Sequence, residues 1–88
     1  MTNVTLYSTG TCPYCVAAES LLKKRGITAI EKIRVDQSTT AFDEMINRSG
    51  RKSVPQIFIN DRHIGGFDDL TKLDASGTLL NMLQNNSH

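Results

Sequence analysis

TGTCPYCVAAESLLKKRG, residues 9–26, holds the only two cysteines of the chain, three positions apart, where a helix begins. Pro13 suits the first helical position, whose N–H has no partner in any helix. Ala18, Leu21, Leu22 and Arg25 then recur at helical spacing, and Gly26, behind the cationic Lys23-Lys24-Arg25 turn, suits a left-handed terminator. Cys12 is thereby the N-cap and Cys15 the third helical residue, one turn deeper and facing the same end.

On either side of this helix the period changes. Residues 3–8 alternate, with Val4 and Leu6 on one face and Thr5 and Tyr7 on the other, which makes a strand. Beyond Gly26, residues 28–35 supply Ile30, Ile33 and Val35 to a second strand whose register is ambiguous. Phe42, Met45, Ile46 and Ser49 mark a second helix starting at Thr39 or Thr40 and closed by Gly50. Arg51 to Val54 is a loop, Gln56 to Asn60 a strand, Asn60 to Arg62 a turn, and His63 to Gly65 the short return of a hairpin. Leu70 and Leu73 lie one turn apart on a further helix. Gly77 inside it would cost about 1 kcal/mol against Ala, so a break is expected there. Leu79, Leu80, Met82 and Leu83 then form a final short helix with core-facing side chains, and Asn85 to His88 fray. The order opens with a right-handed parallel unit and closes with an antiparallel hairpin. The expected class is α/β: a small four-stranded mixed sheet flanked by helices, with residues 1–88 in one domain.

At 88 residues the chain has room for one core, burying about 60–65% of the unfolded surface. Apolar residues at 39% and charged ones at 22% are ordinary globular values, which argues against disorder or fibre. The formal net charge is +1, and outside Lys23-Lys24-Arg25 and Arg51-Lys52 the basic residues are scattered, so nucleic acid is not an expected partner. The first eight residues have neither a basic nor an apolar leader region, and no run approaches the roughly 18 apolar residues of a membrane span. No membrane partner is expected, and the chain reads as cytoplasmic.

In a reducing compartment a structural disulfide does not persist, so paired cysteines point to redox chemistry or metal. As a staple the pair would close a loop of about four residues, worth only about 2 kcal/mol. As a zinc site it supplies half a tetrahedron, completed only by His63 and His88, so no metal is expected. Redox chemistry fits better, because the amides of Tyr14 and Cys15 and the positive end of the helix dipole favour a thiolate at Cys12. The dipole term alone, about 0.3–1 kcal/mol, moves a thiol by less than one pKa unit, so N–H···S bonds, shielding and a protonated Cys15 must add to it. Cys12 is the expected nucleophile. Cys15 then attacks the mixed disulfide and releases the substrate.

TCPYC after the first strand, SVPQIFIN about forty residues on and HIGGFDDL soon after resemble the glutaredoxins, closest to the short bacterial-type dithiol members, over nearly the whole chain. The resemblance implies a thioredoxin-like fold, glutathione as cofactor, and reduction of disulfide-containing or glutathionylated proteins. Cys12 would be the attacking thiol, Pro13 and Tyr14 the spacer that tunes its poise, and Cys15 the resolving thiol. Tyr14 would flank glutathione, Val54 would pair with it through the backbone, and Pro55 would be cis and face the sulfur. In Gly65-Gly66-Phe67-Asp68-Asp69 the glycines make a turn, Asp68 caps the following helix and Asp69 complements its dipole. The resemblance adds a ligand role there for Gly66, the Phe67 backbone, Asp68 and Asp69. One position departs: glutaredoxins often carry lysine where Thr9 stands, which leaves a hydroxyl to serve instead and makes Arg51 or Lys52 the nearby cations.

Other functions compete. An iron–sulfur scaffold would use the nucleophilic cysteine and glutathione thiolates, but proline and tyrosine between the cysteines favour the enzyme. A redoxin fed by thioredoxin reductase would have no need of the Gly-Gly-Phe-Asp-Asp segment. The enzyme is expected to be a monomer. His63 reads as a hairpin residue with an exposed ring, since thiolate chemistry needs no imidazole beside it.

Overall fold

Val4–Ser8 (β1) presents Val4 and Leu6 to one side and Tyr7 to the other, and all three are buried, so both faces of its sheet must be covered. The computed structural model describes residues 3–10, 12–27, 29–60 and 62–84, with the main chain alone for 82–84. After β1 come α1 (Pro13–Lys24), β2 (Ile30–Arg34), α2 (Thr39–Ser49), β3 (Gln56–Ile59), β4 (Arg62–Gly65), α3 (Phe67–Ala75) and α4 (Thr78–Gln84). The strands form one mixed sheet in the order β2-β1-β3-β4. β1 runs parallel to β2, with Leu6 opposite Lys32, and antiparallel to β3, with Tyr7 opposite Gln56; β4 returns antiparallel along β3.

One layer buries Val4, Leu6, Ile57 and Ile59 against Ala18 and Leu22 of α1, Leu70 of α3 and Leu79 of α4. The opposite layer buries Tyr7, Val35 and Phe58 against Met45 of α2. Each fully buried aliphatic side chain contributes about 1.5–3 kcal/mol of transfer free energy, so two modest layers suffice for a chain this short. Across the first layer, the Arg25 guanidinium meets the Asp74 carboxylate bidentately, Nη2 to Oδ2 at 2.8 Å, and ties the end of α1 to α3.

The expected terminators and break have positive φ: 94° at Gly26, 72° at Gly50 and 81° at Gly77. β2 explains its ambiguous register, because Ile30 packs in the first layer and Ile33 in the second, so neither face of this edge strand is consistently polar. Leu80 is a correction. It is 46% exposed, because α4 is a single short pass that turns Leu79 to the sheet and its neighbour about 100° away to solvent. The Met82 and Leu83 side chains, Asp61 in the hairpin turn, and Asn85 to His88 lie outside the described residues.

Candidate active site at the start of the first helix

Cys12 has extended backbone (φ −92°, ψ 108°) and caps α1, and its Sγ accepts the Cys15 N–H at 3.3 Å. Of the two amides expected at the sulfur, only this one bonds it. The cysteines are not joined by a disulfide, and they differ in access: Cys12 is half-buried and Cys15 is 4% exposed. Burial, then the hydrogen bond to and charge of Cys12, push the Cys15 thiol up to about 12, against the opposing Thr9 backbone N–H and Lys32. Thr9 therefore serves the buried sulfur through its main chain, and it does not line the neighbouring cleft.

That cleft, about 310 Å³, is lined by Tyr14 from α1, Arg51 and Ser53 to Gln56 from the loop into β3, and Gly66 to Asp69 from the start of α3. The Tyr14 and Phe67 rings in its lining pair with each other, centroids 6.0 Å apart and tilted by 35°. The Val54–Pro55 bond is cis, as the resemblance implied. The structure thus brings Tyr14, Val54, Pro55, Gly66, Phe67, Asp68 and Asp69 together in one cleft and leaves Thr9, Cys12 and Cys15 outside its lining.

Asp68 does not cap α3. The helix begins two residues earlier than that reading requires: Gly66 is the N-cap, Phe67 the first helical residue, and Asp69 the third. The Asp69 Oδ2 reaches back to the Gly66 N–H at 3.0 Å, half of a capping box, and also accepts Arg51 Nη1 at 3.1 Å. These two donors, the amide first, hold the Asp69 carboxyl below the usual carboxylate range. His63 is a second correction. Its ring is part-buried, stacked on Phe58 at 4.9 Å and 2.8 Å from Gln56 Oε1, because the sheet face it lies on is covered by α2. Sequence reasoning missed Ser53 and Gln56 as cleft residues; the available signal was an amide opening an otherwise apolar strand.

The family model for glutaredoxin matches residues 4–64. The chain belongs to the glutaredoxin family. This glutaredoxin is 49% identical over 83 residues to a glutaredoxin of Neisseria meningitidis, covering 94% of this chain and 98% of that one. The solution structure of glutaredoxin from Brucella melitensis superposes with a TM-score of 0.83 at 38% identity, covering all of this chain and 95% of that one. A crystal structure of a buckwheat glutaredoxin–glutathione complex superposes at 0.84 with 27% identity, covering 94% and 77%. The fold is thioredoxin-like and the glutaredoxin is a thiol–disulfide oxidoreductase. Among its described residues no helix is long and apolar enough to cross a membrane.

Proposed function

We propose that the protein is a glutathione-dependent reductase of protein disulfides and of protein–glutathione mixed disulfides, working in the cytoplasm as a monomer. The carrying observation is the cleft that Tyr14, two residues along α1 from Cys12, helps to line, which combines an aromatic pair, a wall with the cis Val54–Pro55 bond, the amide end of α3 and the Arg51–Asp69 pair. Such a set matches a short peptide bearing carboxylates at both ends and one ammonium group. The solved glutathione complex of the buckwheat relative supports the same reading.

The Cys12 thiolate attacks a substrate disulfide, forming a mixed disulfide and expelling one substrate thiolate, which takes a proton. With a glutathionylated protein, glutathione stays on Cys12, and a second glutathione thiolate attacks it to give oxidised glutathione and free Cys12. With a protein disulfide, Cys15 loses its proton and attacks the Cys12 sulfur, which releases the reduced substrate and leaves a Cys12–Cys15 disulfide for two glutathione molecules to reduce. Part of what holds the proton on Cys15 is the charge of Cys12. That charge vanishes in the mixed disulfide, so Cys15 becomes easier to ionise at the step that needs its thiolate.

Turnover coupled to glutathione and its reductase, compared with thioredoxin reductase alone, tests the reading. Cys12→Ser is expected to abolish all turnover, whereas Cys15→Ser keeps deglutathionylation and loses reduction of protein disulfides. Electrons accepted from thioredoxin reductase alone, with none from glutathione, would overturn it.

A further inference from the structure

Gln56 opens β3 at the edge of the cleft, and it is 1% exposed. A buried primary amide is tolerated when its donors and acceptor are met. Here Nε2 donates to the Ser53 main-chain oxygen at 3.0 Å and reaches the Ser53 hydroxyl at 3.4 Å, while Oε1 lies 2.8 Å from His63 Nε2. These partners settle the orientation of the amide. A carbonyl at Ser53 requires the NH2 end, which leaves Oε1 for the imidazole, so a neutral His63 must carry its proton on Nε2. The imidazole is itself held: it stacks on Phe58, a ring that also has the Arg48 guanidinium 4.1 Å from its centroid.

Ser53 directly precedes Val54 and Pro55, which form one wall of the cleft, and Arg51 lies two residues before it. We infer that Gln56 is a positioning residue: oriented by His63, it anchors the Ser53 carbonyl to the sheet and so sets where Val54 and Pro55 stand opposite Tyr14 and Phe67. The chain of contacts runs from β4 through His63, Gln56 and Ser53 to the loop, and none of its hydrogen bonds involves the Cys12 sulfur. It acts on the binding of the cleft's occupant and leaves the reactivity of the thiol alone. The kinetic consequence rests on the glutathione reading above.

Three variants and one spectrum test it. Gln56→Leu keeps the volume and removes the amide; it is expected to raise the KM for glutathione about tenfold, the scale of losing one or two buried hydrogen bonds, with kcat within about twofold. Gln56→Glu keeps the shape and sets a carboxylate against the Ser53 carbonyl, with a KM effect at least as large. His63→Phe retains the stack on Phe58 and removes the orienting donor, for a rise of about threefold. Alkylation of Cys12 by iodoacetamide is expected to keep its wild-type rate in all three, which a general loosening of the fold would not allow. An unchanged KM in Gln56→Leu and Gln56→Glu overturns the inference, and so does a neutral His63 protonated on Nδ1 in the nitrogen NMR spectrum of labelled protein. That spectrum needs no glutathione. A wild type that does not turn over with glutathione therefore sinks the functional reading, while the tautomer still decides the positioning one. If Gln56→Leu does not fold, the other two variants carry the kinetic test.

Discussion

Cys15 and Ser8 are both buried, yet the structure treats their polar atoms differently. The Cys15 sulfur has the Thr9 amide and the Cys12 sulfur for company, whereas the Ser8 hydroxyl, in a residue 1% exposed, has no hydrogen-bond partner among the described residues. A buried polar group left unmet costs about 1–3 kcal/mol. Ser8→Ala is therefore expected to raise the thermal midpoint by about 4–8 °C, the shift that about 1 kcal/mol produces in a chain this short, in calorimetry without changing turnover. A lower midpoint would mean that the hydroxyl is satisfied in solution and contributes to the fold. Ser8 was legible as a strand residue from the alternation of β1. Its orphaned hydroxyl was not, because partners of a buried group come from segments distant in sequence.

At the scale of elements, the start of α3 shows how one side chain can serve both a helix and a cleft. Gly65 ends β4 with φ +117°, and a Cβ there would run into the Asp69 carboxylate, so the glycine allows both the backbone turn and the approach of the capping group. Asp69→Ala removes the bond to Gly66 and is expected to cost about 1 kcal/mol in urea unfolding while also raising the KM for glutathione. Arg51→Ala breaks only a surface pair and is expected to cost less than about 0.5 kcal/mol. Equal losses of stability in the two variants would contradict this division of roles. The Asp69 carboxyl is held low in the folded state, so its contribution is full above its unfolded value near pH 4 and is lost as pH falls through the folded one. Glycines and apolar spacing located the first two helices, from Pro13 and from Thr39, and the break at Gly77. The cap of α3 was misplaced because Asp68 is a good cap by type, and the choice of Gly66 depends on how β4 delivers the chain.

For the whole molecule, the pH dependence of stability carries the signature of the buried thiol. Cys15 stays protonated in the fold up to about 12 but ionises near 8.5 when unfolded, so its contribution is fully present below about pH 8.5 and declines as pH climbs towards the folded value. Urea midpoints measured between pH 7 and 11 are expected to fall, and Cys15→Ser is expected to flatten part of that slope; an identical slope in the variant would refute the assignment. By itself the sequence determined the order of elements, the mixed sheet and the Cys12 cap, since each depends on short-range rules: alternation, helical spacing, Pro at the first turn, Gly at the ends. Only the tertiary structure decided that Thr9 serves Cys15 instead of the cleft, that Asp69 pairs with Arg51, and that His63 orients Gln56. Those contacts join residues up to 18 positions apart, and they exist because sheet packing brings the β3 loop, β4 and the start of α3 to one end of the molecule.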